Sequence, residues 1–263
     1  MLVYYNENDR AKAEWMRRLM DKGHLPEGDI DTRSITEVRA HELKKYDQCH
    51  FFAGIGTWAM AGALAGWSDR PYWTGSCPCP PFSRANWYKN ERKGFKDERH
   101  LYPVWQELIA KRKPPVIFGE QVGDRDGQEW REVVQVSLEQ IRYAFGGVSV
   151  AAASVGAPQI RQRLYWVAIA SFARSLRRRP QLELPSYGSQ IDLGGGSLVS
   201  NVWANARFIE CEDGKRRPLK PRLSPMVDGA ASRSLRIRSY GDGIVLPQAV
   251  TFMKMVMEYV TQV

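Results

Sequence analysis

The stretch DQCHFFAGIGTWAMAGALAGW, residues 47–67, limits the possible fold more than any other part of the chain. It begins with an apolar run suited to one buried strand. Gly54 and Gly56 then break the run, and a set of small residues follows at helical density. A strand passing through glycines into a helix is a βα unit. Glycines let backbone approach a ligand closely, and a helix N-terminus presents unpaired N–H groups to it. A dinucleotide fingerprint needs a third glycine before the helix, and Thr57-Trp58-Ala59 stand there instead. Taken alone, the turn also suits an ordinary tight βα connection.

The same alternation runs along most of the chain. MLVYYN reads as a short strand, and AKAEWMRRLMDKG as a helix that Gly23 stops. GDIDTRSITEV reads as a second short strand and a turn. RPYWTGSC is a strand, ERHLYPVWQELIAKRK an amphipathic helix, and PPVIFGEQV a strand ending in a carboxylate. QEWREVVQVSLEQIRYAFG, residues 128–146, reads as one helix. VSVAAASVGAPQIRQRLYWVAIA holds two strand-like runs around Gly-Ala-Pro. Strands alternating with helices predict an α/β fold with a mostly parallel sheet flanked by helices. Residues 171–235 break the pattern. They are rich in Gly, Pro, Ser and Arg, and read as a small irregular basic appendage. A turn and helix close the chain. The division expected is therefore 1–170, 171–235 and 236–263.

The 263 residues carry a formal net charge of +9, which favours a polyanionic partner such as nucleic acid. The four cysteines and four histidines show no zinc-ligand spacing, so no metal is expected. Cys77 and Cys79 cannot easily bridge across one proline. No signal peptide and no membrane-length apolar run appear, so a cytoplasmic protein is expected, and a monomer.

Phe52-Ala53-Gly54-Ile55-Gly56 resembles the S-adenosylmethionine turn of the DNA cytosine-5 methyltransferases. TGSCPCPPFSR then resembles that family's Pro-Cys loop, with Pro78-Cys79 followed by Pro81-Phe82-Ser83. Gly94-Phe95-x-Asp97-x-Arg99 matches the segment after the loop. Phe118-x-Glu120-x-Val122 matches the Glu-Asn-Val strand end, and Gln159-x-Arg161-x-Arg163 the Gln-x-Arg-x-Arg motif. Gly241-Asp242-x-Ile244-Val245-x-Pro247 resembles the closing motif. The matches run in family order from about residue 50 onward, and the chain looks most like small bacteriophage or prophage enzymes. The resemblance implies a Rossmann-like methyltransferase sheet with helices on both faces, S-adenosylmethionine as cofactor and double-stranded DNA as partner.

Residue by residue, the resemblance implies Cys79 as nucleophile on cytosine carbon 6 and Glu120 as the acid at ring nitrogen 3. Arg161 and Arg163 would serve the thiolate and the flipped base. Phe52, Ala53, Gly54, Ile55, Gly56, Pro78, Leu101, Asp242, Ile244 and Val245 fall to the cofactor. Cys77 reads as structural. The target carbon is hidden in a duplex, so the base must be extruded. Ser83, Arg84, Lys89, Arg92 and Lys93 lie in the loop expected to close over it. With Gln159, they are candidates for DNA contact. In the appendage, read as the target-recognition region, Arg177, Arg178, Arg179, Lys215, Arg216 and Arg217 are further candidates.

The chain departs from the family pattern at Pro80, usually Gln, at Gln121, usually Asn, and at Asp242, usually Asn. Residues 52–79 are also too few to hold two further strands. The missing motifs are read at the front. YYNENDRAKAEWMRRLM resembles the second, assigning Glu7 and Asn8 to the cofactor ribose and adenine. EGDI resembles the third, assigning Asp29 and Ile30 to the adenine. Two rival readings stay open. An RNA cytosine-5 methyltransferase is opposed by the lack of a Cys-Phe-Thr signature. A catalytically weak or inactive DNA-binding decoy would suit Pro80 and Asp242.

Overall fold

The computed structural model describes residues 1–78, 101–123, 125–155, 161–171, 207–210, 216–219 and 244–262. The chain opens with strand β1 (Val3–Asn6), helix α1 (Arg10–Asp21) and strand β2 (Asp29–Asp31). The segment that opened the sequence reading gives β3 (Gln48–Phe51) and α2 (Thr57–Leu64), followed by β4 (Tyr72–Gly75). Then come α3 (Tyr102–Arg112), β5 (Val116–Val122), α4 (Arg125–Gln140), β6 (Tyr143–Ala151) and β7 (Gln162–Ala170). β8 (Arg207–Glu210) and β9 (Arg216–Leu219) form a separate antiparallel pair, and α5 (Leu246–Gln262) is the last helix.

Seven strands make one sheet in the order β2-β1-β3-β4-β5-β7-β6. The first five are parallel, and β7 runs antiparallel to both β5 and β6. This is a Rossmann-like α/β fold. From β1 the chain moves outward to β2, whereas from β3 it moves the other way to β4. That divergence opens a crevice beyond the carboxyl ends of β1 and β3, the usual place for a ligand in such sheets.

Helices cover both faces. One face packs Phe51, Trp73, Ile117 and Trp166 against Trp105, Leu108 and Ile109 of α3 and Trp130, Val134 and Leu138 of α4. The other packs Tyr72, Phe118 and Tyr165 against Trp58 and Ala61 of α2 and Phe252, Met253 and Val256 of α5. Small residues on α2 allow its close approach. A Cβ added at Gly62 would stand 1.9 Å from the Tyr72 hydroxyl. Trp67 donates its indole N–H to the Met253 carbonyl at 3.1 Å, tying α5 to the βα unit near the front of the chain.

Local signals explain most boundaries. Asp9 caps α1, its carboxylate accepting from the Ala11 and Lys12 amides, and Gly23 at φ +68° follows the helix end. One boundary corrects the sequence reading. The helix expected over 128–146 stops at Gln140, and Tyr143–Gly146 belong to β6. Ile141 and Arg142 donate to the Leu138 and Glu139 carbonyls, and Arg142 sits at φ +69°. The pairing of β6 with β7 along its length prevails over the local helical pattern.

Candidate active site

The strand ends meet around a cavity of about 590 Å3, a size that suits a cofactor-scale ligand. β1 leads into Glu7, Asn8 and Asp9, and β3 into Phe52, Ala53, Gly54 and Ile55. β4 leads into Ser76, Cys77 and Pro78, and β5 ends in Glu120, Gln121 and Val122. Leu101, Arg163 and Ile244 complete much of the wall.

Glu7 is the anchor at one end. It is 7% exposed, and its two carboxylate oxygens accept the Asp9 amide at 2.9 Å and the Gly54 amide at 2.7 Å. Burial is the main cause holding its carboxyl above the ordinary glutamate value. The two amides and Lys12 pull the other way. The turn that supplies the Gly54 amide is sharply bent. Phe52 sits at φ +51°, Gly54 at +61° and Gly56 at +81°. A Cβ at Gly54 would meet nothing within 4 Å, so the backbone faces open space there. Gly56 is the residue before α2 and has no side chain to cap it, so it shapes the turn and does not line the cavity.

Glu120 holds the other end. It is 6% exposed, and its Oε1 lies 2.6 Å from Arg163 Nε. Burial pushes the Glu120 carboxyl upward, against Arg163, Arg161 and Ser76. A buried acid whose pKa is pushed up by desolvation is better able to give a proton to a developing ring anion. Gln121 grips the neighbouring loop. Its amide nitrogen donates to the Cys77 carbonyl at 3.2 Å, and its oxygen accepts the Val122 amide at 3.0 Å. Cys77 is buried, and the chain passes from it through Pro78 toward Cys79.

The cavity thus gathers Glu7, Asn8, Phe52, Ala53, Gly54, Ile55, Pro78, Leu101, Glu120, Arg163 and Ile244 from the sequence reading. Besides Gly56, four assigned residues lie off the cavity wall. Asp29 faces away. Its carboxylate is bound by Lys45 and Tyr46, and its side chain is 64% exposed. Ile30 packs beside Tyr5 and Met16. Ser34 and Ile35, a few residues further on, line the cavity on this side instead. Val245 does not line it, and its carbonyl accepts the Tyr165 hydroxyl at 3.4 Å. Arg161 lies outside the wall, its carbonyl taken by the Ala152 amide, and its positive charge acts on Glu120 from there.

Cys79, Ser83, Arg84, Lys89, Arg92, Lys93, Gln159, Arg177, Arg178, Arg179, Lys215 and Asp242 lie outside the described residues. Arg216 and Arg217 are described only as backbone of β9. The sequence reading missed Lys12, Ser34, Ile35, Trp58 and Ser76 on the wall. For Ser34 a signal was present. Ser34 and Glu37 form a capping box that fixes the turn after β2. Among the described residues, no group of three or more His, Cys, Asp or Glu could hold a metal ion. No helix there is long and apolar enough to cross a membrane.

Residues 72–194 match the family model described as C-5 cytosine-specific DNA methylase. Type II methyltransferase M.HhaI of Haemophilus parahaemolyticus is 28% identical over 169 residues, covering 63% of this chain and 41% of its own. Type II methyltransferase M.AplI of Arthrospira platensis is 30% identical over 96 residues, covering 36% of this chain and 27% of its own. A crystallised mutant of Spodoptera frugiperda DNMT2 aligns with a TM-score of 0.40 at 14% identity, over 70% of this chain and 55% of its own. The chain therefore spans about two fifths of the first of these curated relatives. From β4 onward, residues 72–194 are therefore similar in sequence to the C-5 cytosine-specific DNA methylases.

Proposed function

We infer that this chain methylates carbon 5 of cytosine in duplex DNA, with S-adenosylmethionine as methyl donor. One observation carries the reading. A single cavity has a buried carboxylate clamped to a glycine turn at one end and a buried acid paired with an arginine at the other. The Pro78 strand end that leads to Cys79 lies on the same wall.

The residues present fit the cofactor. Each Glu7 oxygen accepts one amide and keeps a lone pair for a ribose hydroxyl. The open space over Gly54 lets the ligand approach the backbone. Phe52, Ile35 and Leu101 supply apolar wall for the adenine. S-adenosylmethionine contributes an electrophilic methyl group.

Every other step falls to this chain and the substrate. Carbon 5 is a poor nucleophile in aromatic cytosine. The Cys79 thiolate adds to carbon 6 and breaks the aromaticity, while Glu120 neutralises charge at nitrogen 3. Carbon 5 would then displace the thioether S-adenosylhomocysteine from the sulfonium methyl, the carbon–carbon bond forming as the sulfur–carbon bond breaks. A base removes the carbon 5 proton, and the electron pair it leaves expels the thiolate. Arg163, beside Glu120, holds the acid in place before the base enters.

We assign residues 1–170 and 236–263 to the catalytic domain and 171–235 to target recognition. The β8–β9 pair, a sheet of its own, supports this, as does the packing of α5 on α2. The small phage type, with its second motif ahead of the glycine turn, is supported by β1 lying beside β3.

Tritiated methyl transfer to duplex DNA, single-stranded DNA and tRNA tests the reading. Transfer to duplex cytosine is expected, lost in Cys79→Ser and kept in Cys77→Ser. Duplex DNA with 5-fluorocytosine should trap a covalent complex, because fluorine blocks the final proton removal. Transfer to tRNA alone, or DNA binding without transfer, would overturn it.

A further inference from the structure

Asn6 is joined to two walls of the cavity. Its backbone carbonyl accepts the Ala53 amide at 3.0 Å, on the side of the glycine turn. Its side-chain Nδ2 donates to the Asp31 carbonyl at 3.3 Å and to the Arg33 carbonyl at 2.9 Å, on the side of β2. A carboxamide nitrogen carries two protons, and a carbonyl only accepts. Both protons are therefore committed, and turning the amide over would set Oδ1 against two carbonyl oxygens. Asn6 is 3% exposed and lines the cavity.

The strand pairing explains why a side chain is needed here. β1 and β2 pair as far as Asn6 with Asp31. The Glu7 amide adds one bond to the Asp31 carbonyl, at 3.0 Å. Beyond Asp31 the chain bends, so that Ser34 and Ile35 reach the cavity wall. Within the bend, the Asp31 carboxylate accepts the Arg33 amide at 2.9 Å and its guanidinium at 2.7 Å, and Ser34 and Glu37 cap the next turn. Those bonds fix the shape of the bend itself. The bond from Asn6 to Arg33 ties the bend to β1, past the last pair of the ladder. The Tyr4 hydroxyl still holds the Asp31 carboxylate at 2.8 Å, so losing the Asn6 amide loosens the bend without releasing β2.

We propose that Asn6 is a positioning residue for the cofactor: its carboxamide holds the Ser34–Ile35 wall in place relative to Phe52 and Ala53, and so sets the slot that takes the planar base of the ligand. The role rests on the S-adenosylmethionine reading given above.

The test uses the full chain, with S-adenosylhomocysteine as the probe. The Thr36, Glu37 and Val38 amides close the turn that begins at Ser34. Without ligand, their hydrogen exchange should quicken on the order of tenfold in Asn6→Ala, while the β1–β3 ladder exchanges as in the wild type. Calorimetry should show S-adenosylhomocysteine bound on the order of tenfold more weakly. In methyl transfer to duplex DNA, KM for S-adenosylmethionine should rise by the same factor, and kcat at saturating cofactor should change far less. A residue needed only for folding would lower the unfolding midpoint and leave the affinity and KM of the folded protein as in the wild type. That result would overturn the proposal, as would unchanged exchange at the three amides. Asn6→Asp keeps the shape and puts an oxygen where the N–H2 donor stands, so it should weaken binding at least as much. Should Asn6→Ala fail to fold, Asn6→Asp decides, and wild-type affinity there would overturn the proposal. A wild-type chain that binds no S-adenosylhomocysteine would refute the cofactor reading and the positioning role with it, whereas faster exchange in Asn6→Ala would still show the tether.

Discussion

Gly119→Ala puts the support of the candidate acid to a direct test. β4, β5 and β7 set Gly75, Gly119 and Trp166 side by side in one row of the sheet. The two glycines leave room for indoles lying across the sheet face. A Cβ at Gly119 would stand 2.1 Å from Trp166 Cζ2, and one at Gly75 would stand 2.5 Å from the ring of Trp105. Both tryptophans are fully buried, with ring centres 5.9 Å apart. Ordinary contact begins at 3.4 Å, so the Trp166 ring or the strand must retreat by roughly 1.3 Å in an interior packed like an organic crystal. Overpacking of this kind costs about 1–3 kcal/mol. Gly119 immediately precedes Glu120, and a shift of about 1 Å at a reacting group can cost on the order of 100-fold in rate. Urea unfolding should show a lower midpoint for Gly119→Ala, and methyl transfer should show a kcat loss larger than the change in KM. Adding Trp166→Leu should relieve the clash, so the double variant should lose less than the two single losses combined. Wild-type midpoint and turnover in Gly119→Ala, or additive losses in the double variant, would refute the argument.

Three further outcomes are expected. Glu120 has a folded pKa raised by burial, so its contribution to stability is full below the unfolded value near 4.5 and is lost as pH rises through the folded value. Relative to Glu120→Gln, the wild type should therefore lose stability from about pH 4.5 upward; a difference in urea midpoint that does not vary with pH would count against this. Glu7→Gln puts an amide N–H2 against the donors Gly54 N–H or Asp9 N–H, and calorimetry should show binding of S-adenosylhomocysteine weakened about 10- to 100-fold, as for the loss of a charged hydrogen bond. Neutralising Arg177, Arg178 and Arg179 together should lower the salt dependence of duplex DNA binding, by about one unit of log–log slope for each phosphate they neutralise in the wild type. The methylated site should stay the same, and an altered site would show that these arginines read bases.

The βα unit at the glycine turn was legible because its evidence is local. Four consecutive buried residues of β3, positive-φ glycines and small helical residues follow one another in sequence. The end of α4 was not legible, because Ile141 to Phe145 keep a helix-compatible pattern. Only the pairing of β6 with the distant β7 decides their state. The placement of Asp29 off the cavity wall has a related reason. GDI is visible in the sequence, but register is not. Tyr4 pairs with Asp29 and Asn6 with Asp31, so Asp29 lies two residues short of the strand end that faces the crevice. Lys45 and Tyr46, near in space and remote in sequence, then hold its carboxylate outside. Ser76 escaped notice because its hydrogen-bond partner, Trp58, comes from a helix 18 residues earlier.

The need for strands from the front of the chain was the opposite case, since spacing pointed to it. Between Phe52 and Pro78 the chain has room for one helix and one strand, and α2 and β4 fill it. Strands on the far side of β3 must then come from elsewhere, and β1 and β2 at the front supply them. The crevice does not record that order. It needs only two adjacent parallel strands whose following segments diverge, so that the space beyond their ends stays open. β1 and β3 pair in parallel from Val3 with Gln48 to Asn6 with Phe51, and so end at the same edge. Glu7, the first residue past β1, therefore reaches the amide of Gly54, three residues past the end of β3. A contact between residues 47 positions apart holds the candidate cofactor site together. It depends on strand direction and adjacency.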